Sequence, residues 1–275
     1  GLEPNQEFAP TIPFLLYALF QLKFAIITPA LITGSFAGRV RFRSYILFMV
    51  LFSIFIYCPL AHMTWHPNGL FRQWGVLDFA GGTVVHMSAG FAALAGAIYL
   101  GKRKIAIESE ANVPYVLLGT SLLWFGWFGF NSGSALGANG DAVIAFANTN
   151  IASATAMVTW LFYERMLGRK MSAVGACIGA VVGLVAITPA AGFVNIGQSM
   201  LIGFVAAIVC NIMIRLKNKS NIDDTLDVFP SHGIGGIVGM LLTGVLASEV
   251  GLIYGETSTF TYHLIALFIT AVFTF

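Results

Sequence analysis

The chain has 275 residues, of which 57% are hydrophobic and only 9% charged, with a formal net charge of +2. A soluble domain carries roughly a quarter charged residues, so this composition excludes an ordinary water-soluble globule and makes lipid the expected solvent. In lipid each span must satisfy its own backbone, and the apolar runs do not alternate as barrel strands would, so the expected fold is an all-α membrane protein with about 20 residues per crossing.

The first ten residues, GLEPNQEFAP, are polar and carry no signal-peptide pattern. Apolar stretches of spanning length follow at about 12–37, 44–64, 79–100, 113–137, 141–163, 172–193, 197–214 and 229–248, with a partial one from about 259 onward, roughly nine crossings in all. The last run, TYHLIALFITAVFTF, stops without a flanking charge, so the sequence reads as an excerpt of a longer protein, incomplete at both ends. Pro13, Pro29 and Pro189 lie within or near spans, where kinks are expected. Cys58, Cys177 and Cys210 sit inside apolar runs without C-x-x-C spacing, which implies neither disulfides nor a metal.

Basic residues alternate between loops. Arg39, Arg41 and Arg43 follow the first span, Lys102, Arg103 and Lys104 the third, Arg165, Arg169 and Lys170 the fifth, and Arg215, Lys217 and Lys219 the seventh, while the loops between them carry only Arg72. By the positive-inside rule the basic loops are cytoplasmic and the loops holding Trp65 and Ser134 face outside. Glycine is abundant, 30 residues, often at small-xxx-small spacing, which close helix contacts explain without invoking function. LDFAGGTVVHMSAG (77–90) and LDVFPSHGIGG (226–236) share Leu-Asp, a later His and H-x-x-x-G, on spans that run in opposite directions. Opposed copies mark an inverted repeat, whose path lies at the repeat interface.

Ionisable residues inside a span are functional candidates by default. They are Lys23, Asp78, His86 and His232, with His263 in the partial span. Two imidazoles from opposed halves can share one proton through an N–H···N contact, or each can be a separate core histidine bonded to a carbonyl. Asp78 can attract a cation, or cap its helix by accepting from Ala80, Gly81 and Gly82; Asp227 has the mirror position before His232 and the same two readings. Trp65 reads as an interfacial anchor. Phe20 and Phe24 share one helix face, and Phe125, Phe128 and Phe130 crowd WFGWFGFNSGS; helix packing or an aromatic cage for a small cation both account for them.

The motifs FQLKFAIITPALITGSFAGR (20–39), PLAHMTW (59–65), LDFAGGTVVHMSAG (77–90), GWFGFNSGSALGAN (126–139), ANTNIASATA (147–156), GACIGAVVGLVAITPAAGFV (175–194) and DDTLDVFPSHGIGGIVG (223–239) occur in order along essentially the whole chain. Together they resemble the Amt branch of the ammonium transporter (Amt/Mep/Rh) superfamily, an inverted-repeat helical bundle of which about nine of eleven spans are represented. The resemblance implies an outer ammonium site of Phe20, Phe24, Trp65 and Ser134 with Asp78 beneath it, gate phenylalanines Phe24 and Phe130, and pore histidines His86 and His232. Gly38 departs from the family, which often has Glu there; Lys23, next to Phe24, is expected to face away from the pore.

The same resemblance implies ammonium or ammonia as substrate, a homotrimer in the bacterial plasma membrane, and control by a PII-type regulator or, in the rival reading, a fused signalling module that makes the domain an ammonium sensor. No cofactor, nucleic acid or enzymatic chemistry is expected, because no nucleophile–base or metal constellation stands in the sequence.

Overall fold

Each apolar run closes its own hydrogen bonds as a helix in the computed structural model, which describes residues 1–104 and 112–275. The helices in chain order are α1 (Phe14–Phe36), α2 (Phe42–Phe52), α3 (Cys58–Trp65), a short α4 (Leu70–Gln73), α5 (Ser88–Leu100), α6 (Val113–Ser132), α7 (Gly140–Met166), α8 (Ala173–Ile187), α9 (Ile196–Lys219), α10 (Gly235–Leu246) and α11 (Thr257–Thr274). Three π-helical turns, Ser53–Tyr57, Gly82–Met87 and Phe229–Ile234, join α2 to α3 and lead into α5 and α10. Among the described residues, eight helical stretches are long and apolar enough to cross a membrane, and the apolar α8 is shorter. The protein is an integral membrane protein.

Two expectations change. The span placed at 172–193 is helical only to Ile187, because turns take over before Pro189. Of the three prolines, only Pro29 lies inside a helix; Pro13 precedes α1 and Pro189 sits in the turns after α8. The polar opening segment is a two-stranded antiparallel hairpin, β1 (Pro4–Asn5) and β2 (Ala9–Pro13). Its turn closes because the Asn5 side chain accepts from the N–H groups of Glu7 and Phe8.

Small residues set the packing distances. A Cβ at Gly203 would lie 2.3 Å from the Ala152 carbonyl oxygen, and one at Gly183 would lie 2.6 Å from the same oxygen, so α8 and α9 both press on the α7 backbone. The basic loops gather at one end: Arg39 donates to the Asp223 and Gly101 carbonyls, and Arg103 forks onto the Asp223 carboxylate. At the opposite end Thr11 donates to Leu136 and Ser248 to Phe193, closing the rim there.

Candidate functional site

At the end opposite the basic loops lies a recess of about 570 Å³ whose lining includes Phe20, Phe24, Trp65, Asp78 and Ser134. Trp65 is fixed by donating its indole N–H to the Asp78 carbonyl, 3.0 Å. The Ser134 hydroxyl donates to the Phe130 carbonyl at 2.9 Å, so both its lone pairs are left to accept an N–H. The Asp78 carboxylate is spent differently. Oδ1 accepts from the N–H groups of Gly81 and Gly82, and Oδ2 from the N–H and hydroxyl of Thr83, all at 2.6–2.8 Å. The carboxylate therefore caps the turn, with Thr83 rather than Ala80 as the third residue.

Beneath the recess the aromatic rings touch in series. Phe24 is 1% exposed and meets Phe20 at 4.9 Å, Trp65 at 5.4 Å and Phe130 at 4.4 Å between centroids. Phe130 lies 6.1 Å from the His86 ring, and His86 lies 5.4 Å from His232. The other candidates do not join this line: Phe125 is exposed, Phe128 stacks on Phe146, and Lys23 is exposed on the far side of α1, as its offset from Phe24 predicts.

Both histidines ride on π-helical turns, a geometry that concentrates at functional sites. The turn carrying His86 enters α5 and the one carrying His232 enters α10, which runs the opposite way. Gly90 and Gly233 let them meet, since a Cβ on Gly90 would lie 2.2 Å from the Gly233 nitrogen. The rings approach Nδ1 to Nδ1 at 3.4 Å, with His86 fully buried and His232 8% exposed.

The repeat has a different partner from the one the Leu-Asp dipeptide suggests. Asp224, not Asp227, mirrors Asp78: each precedes its histidine by the same interval, and Asp224 Oδ2 accepts from the Phe229 N–H at 2.7 Å as Asp78 does from Thr83. Asp227 instead pairs with Lys217 at 2.6 Å. His263 is structural. Its Nε2 accepts from the Leu77 N–H at 2.9 Å, so Nδ1 carries the proton and donates to the Met240 carbonyl, also at 2.9 Å.

A model of the Ammonium Transporter Family matches residues 4–275. The chain belongs to the ammonium transporter family. A protein named ammonium transporter from Aquifex aeolicus (strain VF5) is 52% identical over 250 residues, covering 89% of this chain and 59% of its own. Another so named, from Bacillus subtilis (strain 168), is 45% identical over 284 residues, covering 100% of this chain and 70% of its own. The crystal structure of Candida albicans Mep2 superposes with a TM-score of 0.91 at 38% identity, over 96% of this chain and 62% of that one. The chain thus spans less than two thirds of the length of two of these three relatives.

In this member of the ammonium transporter family two further residues touch the histidine pair that a search for ionisable groups passes over. Thr188 Oγ1 lies 3.2 Å from His86 Nε2, and Trp127 donates its indole N–H to the same oxygen at 2.9 Å while its ring stacks on His86, centroids 5.3 Å apart. The available signal was a pair of polar tips, one hydroxyl and one indole, inside otherwise apolar runs.

Proposed function

We propose that the chain forms the conducting part of an ammonium transporter that collects ammonium in the outer recess and passes it as ammonia along the histidine pair. What carries the reading is the unbroken order of recess, phenylalanine gate and paired imidazoles along one line in a member of this family. Phe20, Phe24 and Trp65 offer π-faces to a cation, worth about 0.5–2 kcal/mol once water is removed, and the Ser134 lone pairs accept an N–H. Potassium resembles ammonium in size and charge, and a ring of carbonyl oxygens would hold either. Only ammonium can leave a proton behind at the gate of Phe24 and Phe130 and continue uncharged through a dry passage. The histidine pair gives that neutral guest a hydrogen-bonding partner where lipid-like walls would give none.

Transport is favoured over sensing because the relatives of 45% and 52% identity carry transporter names. The test is ammonium-evoked current and labelled methylammonium uptake in proteoliposomes holding the intact protein. Wild type should conduct ammonium and reject potassium, and His86→Ala should lose that discrimination. Unchanged selectivity in the variant removes the histidines from the mechanism; saturable ammonium binding without flux makes the protein a sensor.

A further inference from the structure

We propose that Thr188 is a positioning residue that holds the histidine pair in one tautomer, with the proton of His86 on Nε2 and that of His232 on Nδ1. A threonine hydroxyl has one proton to give and two lone pairs to fill. Thr188 ends α8, and its backbone N–H goes to the Val185 carbonyl at 3.2 Å, so it is the hydroxyl that serves the Leu184 carbonyl, at 2.8 Å. One lone pair takes the Trp127 indole N–H at 2.9 Å, and indole can only donate. The one position left on Oγ1 is a lone pair, and it faces His86 Nε2 at 3.2 Å. That nitrogen must therefore carry hydrogen.

A neutral imidazole has a single N–H, so His86 Nδ1 is bare and accepts. Its partner across 3.4 Å is His232 Nδ1, which must donate. The hydrogen bonds then run in one direction, from His232 to His86 to Thr188 to the Leu184 carbonyl. Reversing the pair would set the bare Nε2 of His86 against a lone pair of Thr188, or turn the hydroxyl and strip the Leu184 carbonyl of its donor, and a buried polar group left without a partner is expensive. Trp127, stacked on the imidazole, keeps the ring from swinging away from this arrangement.

The functional consequence rests on the transport reading above; the tautomer assignment does not. His232 Nε2 is the bare nitrogen of the pair and takes an N–H from a guest. A proton placed on it makes His232 an imidazolium and can step through Nδ1 to His86 Nδ1, but it leaves no further, because Thr188 has no free lone pair and a backbone carbonyl ends the series. Toward Thr188, then, the pair has no onward route for a proton.

The measurement is solid-state nitrogen-15 NMR of the intact protein in lipid bilayers at neutral pH, which separates protonated from bare imidazole nitrogens. Carbonyl-labelled valine singles out His86, which alone among the five histidines follows a valine, and carbonyl-labelled serine singles out His232. Wild type should show His86 Nε2–H and His232 Nδ1–H, with the reversed form below about one tenth of the population. Thr188→Val should raise the reversed form several-fold, and Thr188→Ser should restore the wild-type spectrum. Wild-type protein with its proton on His86 Nδ1, or a Thr188→Val spectrum identical to wild type, overturns the proposal. Should Thr188→Val not fold, the wild-type assignment decides it, together with Trp127→Phe, which leaves the hydroxyl on the Leu184 carbonyl and should keep the same tautomer. Loss of ammonium current in wild type would remove the transport reading and leave the tautomer result standing.

Discussion

Asp78 shows how a buried carboxylate serves a membrane protein through the backbone around it. Its two oxygens satisfy three N–H groups and one hydroxyl at the start of the turn that carries His86, the place where a helix leaves its first donors unpaired. Asn has the same shape but offers one acceptor oxygen and turns an amide N–H₂ toward groups that themselves donate. Asp78→Asn should therefore lower stability by about 2–4 kcal/mol, since two buried donors lose their partners. Thr83→Val deletes only the hydroxyl bond and should cost about 1 kcal/mol. Thermal unfolding in detergent reads both. If Asp78 acts chiefly by holding a cation, Asp78→Asn will instead unfold like wild type and fail only in ammonium uptake. The sequence showed the aspartate and offered capping as one of its two readings, but it could not name the donors, because the turn is π-helical and reaches one residue further than an α-helical cap.

The apolar runs were legible as helices because a backbone in lipid must close its own hydrogen bonds, and opposite directions for α5 and α10 followed from where the basic loops fell. The π-helical turns were not, since a single inserted residue leaves the hydropathy pattern intact. The repeat was visible in outline, yet its acidic partner was misplaced: the Leu-Asp dipeptide at 226–227 pointed to Asp227, whereas the shared interval to the histidine and the bond to Phe229 select Asp224. A dipeptide carries less spatial information than a distance along the chain to a fixed side chain. What brings the two elements together is Gly90 against Gly233, where the backbones nearly touch. Gly90→Ala would place a methyl carbon where only 2.2 Å is open, against a backbone that cannot turn aside as a side chain can. The helices must separate, which should cost about 1–3 kcal/mol and break the 3.4 Å contact between the imidazoles. Ammonium flux should fall even in the fraction that folds, and the Nδ1–Nδ1 correlation should vanish. Gly119→Ala on α6, where an added Cβ meets no atom within 4 Å, is the control and should change neither.

At the end of the molecule that gathers the basic loops, one carboxylate ties three connections together. Asp223 follows α9, Arg103 follows α5 and Arg39 follows α1, and both guanidinium groups converge on Asp223 while Arg103 also reaches Thr225. The bidentate bond from Arg103 is the main reason the Asp223 carboxyl is held down to about 2. An unfolded aspartate titrates near 3.9, so folding favours the charged form, and the stabilisation is fully present above about pH 4 and drains away as pH falls toward 2. Asp227 works in the opposite sense. Burial pushes its carboxyl up against the pull of Lys217, so the folded protein binds that proton more readily than the unfolded chain does. The wild-type curve alone therefore mixes two signs, and the difference between wild type and Asp223→Asn isolates the clamp. That difference should be about 1 kcal/mol at pH 7, or roughly 2–4 °C in the unfolding temperature of a chain this size, and should shrink toward zero between pH 4 and 2. Ammonium selectivity should be untouched, because the cluster holds the loops rather than lining the path. A difference that persists undiminished at pH 2 would mean that the asparagine damages packing and that the charged clamp is not what holds these loops.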